Sequence, residues 1–158
     1  MTEFAFGLGF DCHPREVGRP LFLAGVHFEG EPGLSGHSDA DVVCHAIGDA
    51  LLGAAGLGDL GDYFPDRDPR WAGISGPDLL ARVVRLVAEE GMRPASCDVT
   101  VIAERPKLAD RREEMCRNLA ATLGLDVGRV SVKATRPEGL GLTGDGAGCL
   151  TLVVLAPG

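Results

Sequence analysis

The chain has 158 residues, of which 45% are hydrophobic and 24% charged, and a formal net charge of −8. That length suits a single domain spanning 1–158, with a core large enough to need no disulfide staples. The acidic balance excludes sequence-independent nucleic-acid binding, which relies on Lys and Arg to neutralise phosphates. No membrane span is expected either, since the longest apolar run, LTLVVLAP at 150–157, falls far short of the roughly 20 residues required.

The opening MTEFAFGLGF has no basic stretch and no small-residue cleavage site, so no export signal is expected. Five scattered cysteines without a Cys-x-x-Cys pair fit free thiols in a reducing cytoplasm. Residues 4–13 alternate and predict a strand. Phe4, Phe6, Leu8, Phe10 and Cys12 share one face, and Gly7, Gly9, Asp11 and His13 share the other. On this reading the Cys12 thiol points into the apolar layer as a core residue. Asp11 and His13 point together, on a face whose glycines admit another backbone or a ligand.

PLFLAGVHF at 20–28 predicts a second strand, with His27 exposed near its end. Residues 39–55 predict a helix. Ser38 stands at the N-cap position with Asp41 three residues on, an [ST]-x-x-[DE] capping box. Asp41, His45 and Asp49 then share one stripe at four-residue spacing, among Val, Ala, Ile and Leu. Residues 56–76 carry no element of their own, and loops of that length are usually functional. A helix at 76–91, a strand at 96–104, a charged amphipathic helix at 109–124 and strands at 129–135 and 148–157 complete the series. The predicted fold class is α/β, an α+β two-layer sandwich in which helices cover one face of a mixed sheet and both chain ends look like hairpins.

Asp11, His13 and His45 form an N2O ligand set, which suits zinc with a fourth position open. Asp49 is placed to hold the His45 ring from behind. The plainer alternatives are a hydrogen-bonded Asp–His pair at a strand end and a satisfied buried histidine. Cys44 points about 100° from His45 around the helix and reads as packing. GLGDLG at 56–61 and GLGLTG at 139–144 both fit G-x-G-x-x-G, but neither follows a strand and opens a helix, so no dinucleotide site is expected. Lys107 at a strand-to-helix junction, Lys133 and Glu138 make a diphosphate with a hard cation plausible.

Taken in order, GLGFDCH, GHSDADVVCHAIGDALLGAAGLGDLGDYFPDRDP, AERPKL and VKATRPEGLGLTGDGAG resemble the 2-C-methyl-D-erythritol 2,4-cyclodiphosphate synthases of the non-mevalonate isoprenoid pathway. The match runs from about Gly7 to Gly148. The resemblance implies a homotrimer with its sheets around a central axis and active sites between subunits. It implies a phosphorylated small-molecule substrate, 4-diphosphocytidyl-2-C-methyl-D-erythritol 2-phosphate, which cyclises with release of CMP. Zinc is implied on Asp11, His13 and His45, and Mg or Mn on Glu138. Contacts to the methylerythritol phosphate fall on His37, Ser38, Asp59, Gly61, Phe64 and Asp66. The cytidine pocket falls on Ala103, Lys107, Leu108 and Thr135, with Arg136 beside the diphosphate, and His37, Asp49 and Thr135 are expected to serve the reaction itself. Two departures stand out. Arg136 and Pro137 replace the Thr-Thr that often follows KAT in the family. Asp145 and Ala147 replace an Arg and a Glu of the late Gly-rich loop, so an isoprenoid diphosphate is expected to bind weakly or not at all in the central cavity. The rival readings are a zinc-dependent phosphohydrolase and a non-catalytic zinc-stabilised binding protein.

Overall fold

The computed structural model describes residues 3–141 and 143–158. The strands are β1 (Ala5–His13), β2 (Arg15–Leu23), β3 (Val26–Leu34), β4 (Met92–Ala103), β5 (Val130–Thr135) and β6 (Ala147–Pro157). The α-helices are α1 (Val42–Ala54), α2 (Leu60–Tyr63), α3 (Gly76–Glu89) and α4 (Arg112–Leu123). β1, β6, β4 and β5 form a four-stranded sheet in that order, and β2 and β3 form a separate two-stranded sheet. Among the described residues only β4 and β5 run parallel. The predicted layering, helices on one face of a mixed sheet, is the architecture found.

Several boundaries move for identifiable reasons. The segment 20–28 is not one strand but the middle of a hairpin, because Ala24 and Gly25 adopt φ of 54° and 71° and reverse the chain. The two chain ends are not separate hairpins either, since β1 pairs with β6 along its whole length. The segment 56–76 contains α2 and a short 3-10 turn at Pro69–Trp71. GLGDLG therefore does run into a short helix, but it follows α1 rather than a strand. GLGLTG includes Leu142, which lies outside the described residues.

Helix α1 begins at Val42, later than expected, because Asp41 rather than Ser38 is its cap. The Asp41 carboxylate accepts from Val43 N and Cys44 N at 3.1 Å each, and also from Ala24 N at 3.0 Å and Gly25 N at 2.7 Å. One fully buried side chain thus starts the helix and fastens the β2–β3 turn to it.

α1 lies on β1 and β6 with almost no side chain between them. A Cβ on Gly7 would stand 1.8 Å from Ala50 O, and one on Gly9 1.9 Å from Ala46 O. The buried face of β1 is therefore the glycine face. This reverses the expected core. Phe6 and Leu8 are 66% and 69% exposed, Phe10, Leu150 and Leu152 accompany them on the far side of the sheet, and Cys12 is exposed rather than buried.

Candidate active site

The contact of Gly7 and Gly9 with α1 decides where the chemistry lies. Side chains on the glycine face of β1 meet α1 directly, so Asp11 and His13 at the end of the strand come up against His45. Asp11 Oδ2 lies 2.9 Å from His13 Nε2 and 3.2 Å from His45 Nδ1. The two imidazoles stand edge to face at 68°, 5.6 Å apart. One donor atom from each of the three side chains falls within 4.8 Å of the others. A tetrahedral ion with bonds near 2.0–2.1 Å needs ligand atoms about 3.3 Å apart, so the separations from Asp11 to the two imidazoles already stand close to the edge length of such a site.

Electrostatics supports the cluster. Burial pushes the Asp11 carboxyl up, yet hydrogen bonds and charge from His13 and His45 outweigh it and hold the group well below the usual carboxylate range. Burial pulls the His45 imidazole down, and the bond and charge of Asp11 reverse this and raise it. Both rings of the pair therefore sit beside a persistent negative charge, as a cation would.

The partner behind His45 is Ser38, not Asp49. Ser38 Oγ lies 2.9 Å from His45 Nε2 and accepts from Ala40 N at 3.0 Å. In the metal-free chain Nδ1–H donates to the ionised Asp11 carboxylate; with Nε2–H donated to Ser38, an ion taking the place of the Nδ1 proton would find that nitrogen free to ligate. Asp49 instead accepts from Leu60 N at 2.9 Å and so fixes the start of α2. Burial raises its carboxyl, against the pull of that bond. Asp41, expected on the same stripe, is withdrawn into its capping role. The Cys44 and Cys149 thiols are pushed up by burial and have no part in the cluster.

A pocket of about 270 Å³ opens over the triad. Asp11, His13, His37, Ser38, His45, Asp49, Gly61, Phe64 and Asp66 all line it. Asp59 does not; it stands at the N-terminus of α2. Leu60, Trp71, Ile74 and Leu79 also line the pocket and were not anticipated. Trp71 is the chain's single tryptophan, in a stretch without strand or helix periodicity, and a large aromatic there has to pack on something. That signal was available in the sequence.

A model of the YgbB family matches residues 4–156. The chain belongs to the YgbB family. The 2-C-methyl-D-erythritol 2,4-cyclodiphosphate synthase of Symbiobacterium thermophilum is 55% identical over 138 residues, 87% of this chain and 88% of that protein. The bifunctional enzyme IspD/IspF of an Anaeromyxobacter species is 57% identical over 144 residues, 91% of this chain but 37% of that protein. The chain thus spans under two fifths of the length of that bifunctional relative. A solved 2C-methyl-D-erythritol-2,4-cyclodiphosphate synthase in its CDP-bound form superposes with a TM-score of 0.88 at 36% identity, over 95% of this chain and 99% of that one.

Within this YgbB-family chain the remaining predicted contacts lie apart from the triad pocket. His13 pairs with Ala147, Ala147 with Ala103, and Ile102 with Thr135, so one end of the sheet carries both groups of residues. Three strand spacings of about 4.8 Å separate β1 from β5, roughly 14 Å in all. Ala103 and Leu108 are buried, Lys107 is exposed in the loop after β4, and Thr135, Arg136 and Glu138 are exposed at the end of β5. Glu138 has a φ of 53°, and the adjacent Gly139 N donates to Glu104 Oε1 at 3.1 Å. Lys133 is taken up by Asp98 at 2.6 Å.

Proposed function

We propose that this chain is a 2-C-methyl-D-erythritol 2,4-cyclodiphosphate synthase acting on 4-diphosphocytidyl-2-C-methyl-D-erythritol 2-phosphate. The observation that carries the reading is the Asp11–His13–His45 cluster on the floor of a pocket, in a chain that matches the family over nearly its whole length. An oxygen of the substrate's 2-phosphate forms a bond to the β-phosphorus. The bond from that phosphorus to the oxygen bridging the α-phosphorus breaks, and CMP leaves with that oxygen and its electron pair. The nucleophile belongs to the substrate, so no serine, cysteine or strong base is required. What remains for the protein is to fold the substrate back on itself and to offset charge at the β-phosphate.

The residues divide that work. His37, Ser38, Asp59, Gly61, Phe64 and Asp66 hold the methylerythritol phosphate, and Asp49 keeps α2 against them through Leu60. Ala103, Lys107, Leu108 and Thr135 take the cytidine, and Arg136 lies beside the diphosphate. Asp11, His13 and His45 suit zinc, whose two-nitrogen, one-oxygen set they supply, and Glu138 suits Mg or Mn, which commonly take one carboxylate together with substrate phosphates. Bound there, these ions supply Lewis-acid charge at the phosphates and a template for the fold-back.

A homotrimer follows from the same reading. The triad pocket, at about 270 Å³, is smaller than the usual 300–1,000 Å³ site for a whole small ligand. The cytidine residues stand on β4, in the loop that follows it and on β5, away from β1. A neighbouring chain would bring its β5 edge to this chain's triad, and the exposed apolar sheet face of Phe6, Leu8, Phe10, Leu150 and Leu152 is the surface such packing would cover. The cytoplasm is the compartment that suits its five free thiols.

Phosphorus NMR of the cytidyl substrate with the purified protein, zinc and Mg tests the assignment. Coupled signals of a cyclic diphosphate with one CMP per ring are expected. Free inorganic phosphate would instead indicate a hydrolase, and an unchanged spectrum a binding protein; either result would overturn the cyclase.

A further inference from the structure

The segment between α2 and α3 is tied down at its far end by two backbone–backbone bonds and one to a carboxylate. Gly73 N donates to His37 O at 2.9 Å, Asp39 N to Ile74 O at 3.1 Å, and Gly76 N to Asp39 Oδ2 at 2.7 Å. Its middle is held differently. Trp71 packs edge to face on Phe64, with ring centroids 5.0 Å apart. The Arg82 guanidinium, on the exposed side of α3, lies 5.1 Å from the indole centroid, and that of Arg70 lies 5.4 Å away. The indole N–H is buried with no acceptor among the described residues, so the ring is held through its faces and edge rather than by a hydrogen bond. Arg70 is itself oriented by Asp68, to which its Nε and Nη2 donate at 2.9 and 2.6 Å. The carbonyl of that same Asp68 lies 3.3 Å from His37 Nε2.

We propose that Trp71, clamped by Arg82 and Arg70, is a positioning residue that sets how tightly the triad pocket holds its part of the substrate. It acts through Phe64, which it braces, and through His37, whose ring rests on the Asp68 carbonyl. Trp71 is not a catalytic residue in this scheme, and the reacting phosphates lie with the triad. The clamp rests on the synthase reading for its substrate but not for its existence. A cation drawn to an indole face is the recognised physical interaction, and here it joins the exposed side of α3 to the wall of the pocket. Loosening it frees Phe64 and His37 to sample other placements, which weakens binding more than it slows the chemical step.

Arg82 gives a clean test, because it lies outside the pocket lining over the triad. Arg82→Met removes the cation and keeps most of the stem, whereas Arg82→Lys keeps a cation. The single tryptophan reports the clamp without substrate, through acrylamide quenching of its fluorescence. For Arg82→Met the quenching constant should rise about twofold and KM for the cytidyl substrate about fivefold, with kcat within about twofold, the scale of one lost cation–π contact. Zinc content should not change, and Arg82→Lys should recover most of both effects. Unchanged quenching, unchanged KM, or equal impairment in the Met and Lys variants would each overturn the clamp. If the unsubstituted protein fails to cyclise the cytidyl substrate, the synthase assignment falls, while the quenching comparison still decides whether the clamp exists.

Discussion

His45 has both ring nitrogens in use, one toward Asp11 and one toward Ser38, and this fixes what its loss must do. His45→Ala should abolish zinc binding, measured as metal per chain after dialysis. Cys12→Ala and Cys44→Ala should leave it intact, because one thiol lies on the opposite face of β1 and the other is buried in the core. Protons compete with a metal for the same imidazole nitrogens. In the metal-free chain Asp11 raises His45 above its ordinary value of 6.5, so the protonated pair stabilises that form below about pH 6.5, and the contribution fades as pH rises through the raised value. Metal occupancy should therefore fall on acidification, beginning above pH 6.5, as followed by equilibrium dialysis across the pH range. Period-two alternation was enough to bring Asp11 and His13 together in the sequence. Ser38 behind His45 was not legible, because it depends on where α1 starts, and that depends on Asp41 reaching the β2–β3 turn far along the chain.

The contact between β1 and α1 is the element on which the site rests. Gly9→Ala would place a methyl group against Ala46 O, so the helix must lift away and carry His45 from Asp11. Zinc content and unfolding midpoint should both drop. Gly53→Ala, in the same helix but with open space around its Cβ position, should raise stability by about 0.5–1 kcal/mol, the helix preference of Ala over Gly. Asp41→Ala removes a cap and leaves buried N–H groups unpaired, so a loss of about 3 kcal/mol is expected in denaturant unfolding. Glycines at i and i+2 beside Asp-x-His indicated that something approaches that face. They did not say that the approaching backbone would be the core, and this is why Phe6, Leu8 and Cys12 were assigned to the wrong side.

At the scale of the whole molecule, element types were largely readable because the helices and central strands are long and periodic. The partners of β1 were not, since its pairing with β6 joins the two ends of the chain and no local pattern records that. The same limit applies to the site. The triad is local to β1 and α1, while the residues expected to hold cytidine and the second ion lie on or after β4 and β5, two to three strand spacings away, roughly 10–14 Å. The proposed homotrimer, with each active site completed by a neighbouring chain, would account for that separation and for the exposed apolar sheet face. Leu8→Glu, placing a charge in that face, should give monomers by sedimentation and lower activity in proportion. The most direct measurement is CMP release by trimers co-expressed from His45→Ala and Glu138→Ala chains, each inactive alone. If each site joins the triad of one chain to Glu138 of its neighbour, a random one-to-one mixture should recover about one quarter of the unsubstituted activity, since both halves must come from the intact partner. No recovery, with mixed trimers verified by mass, would contradict a site shared between chains.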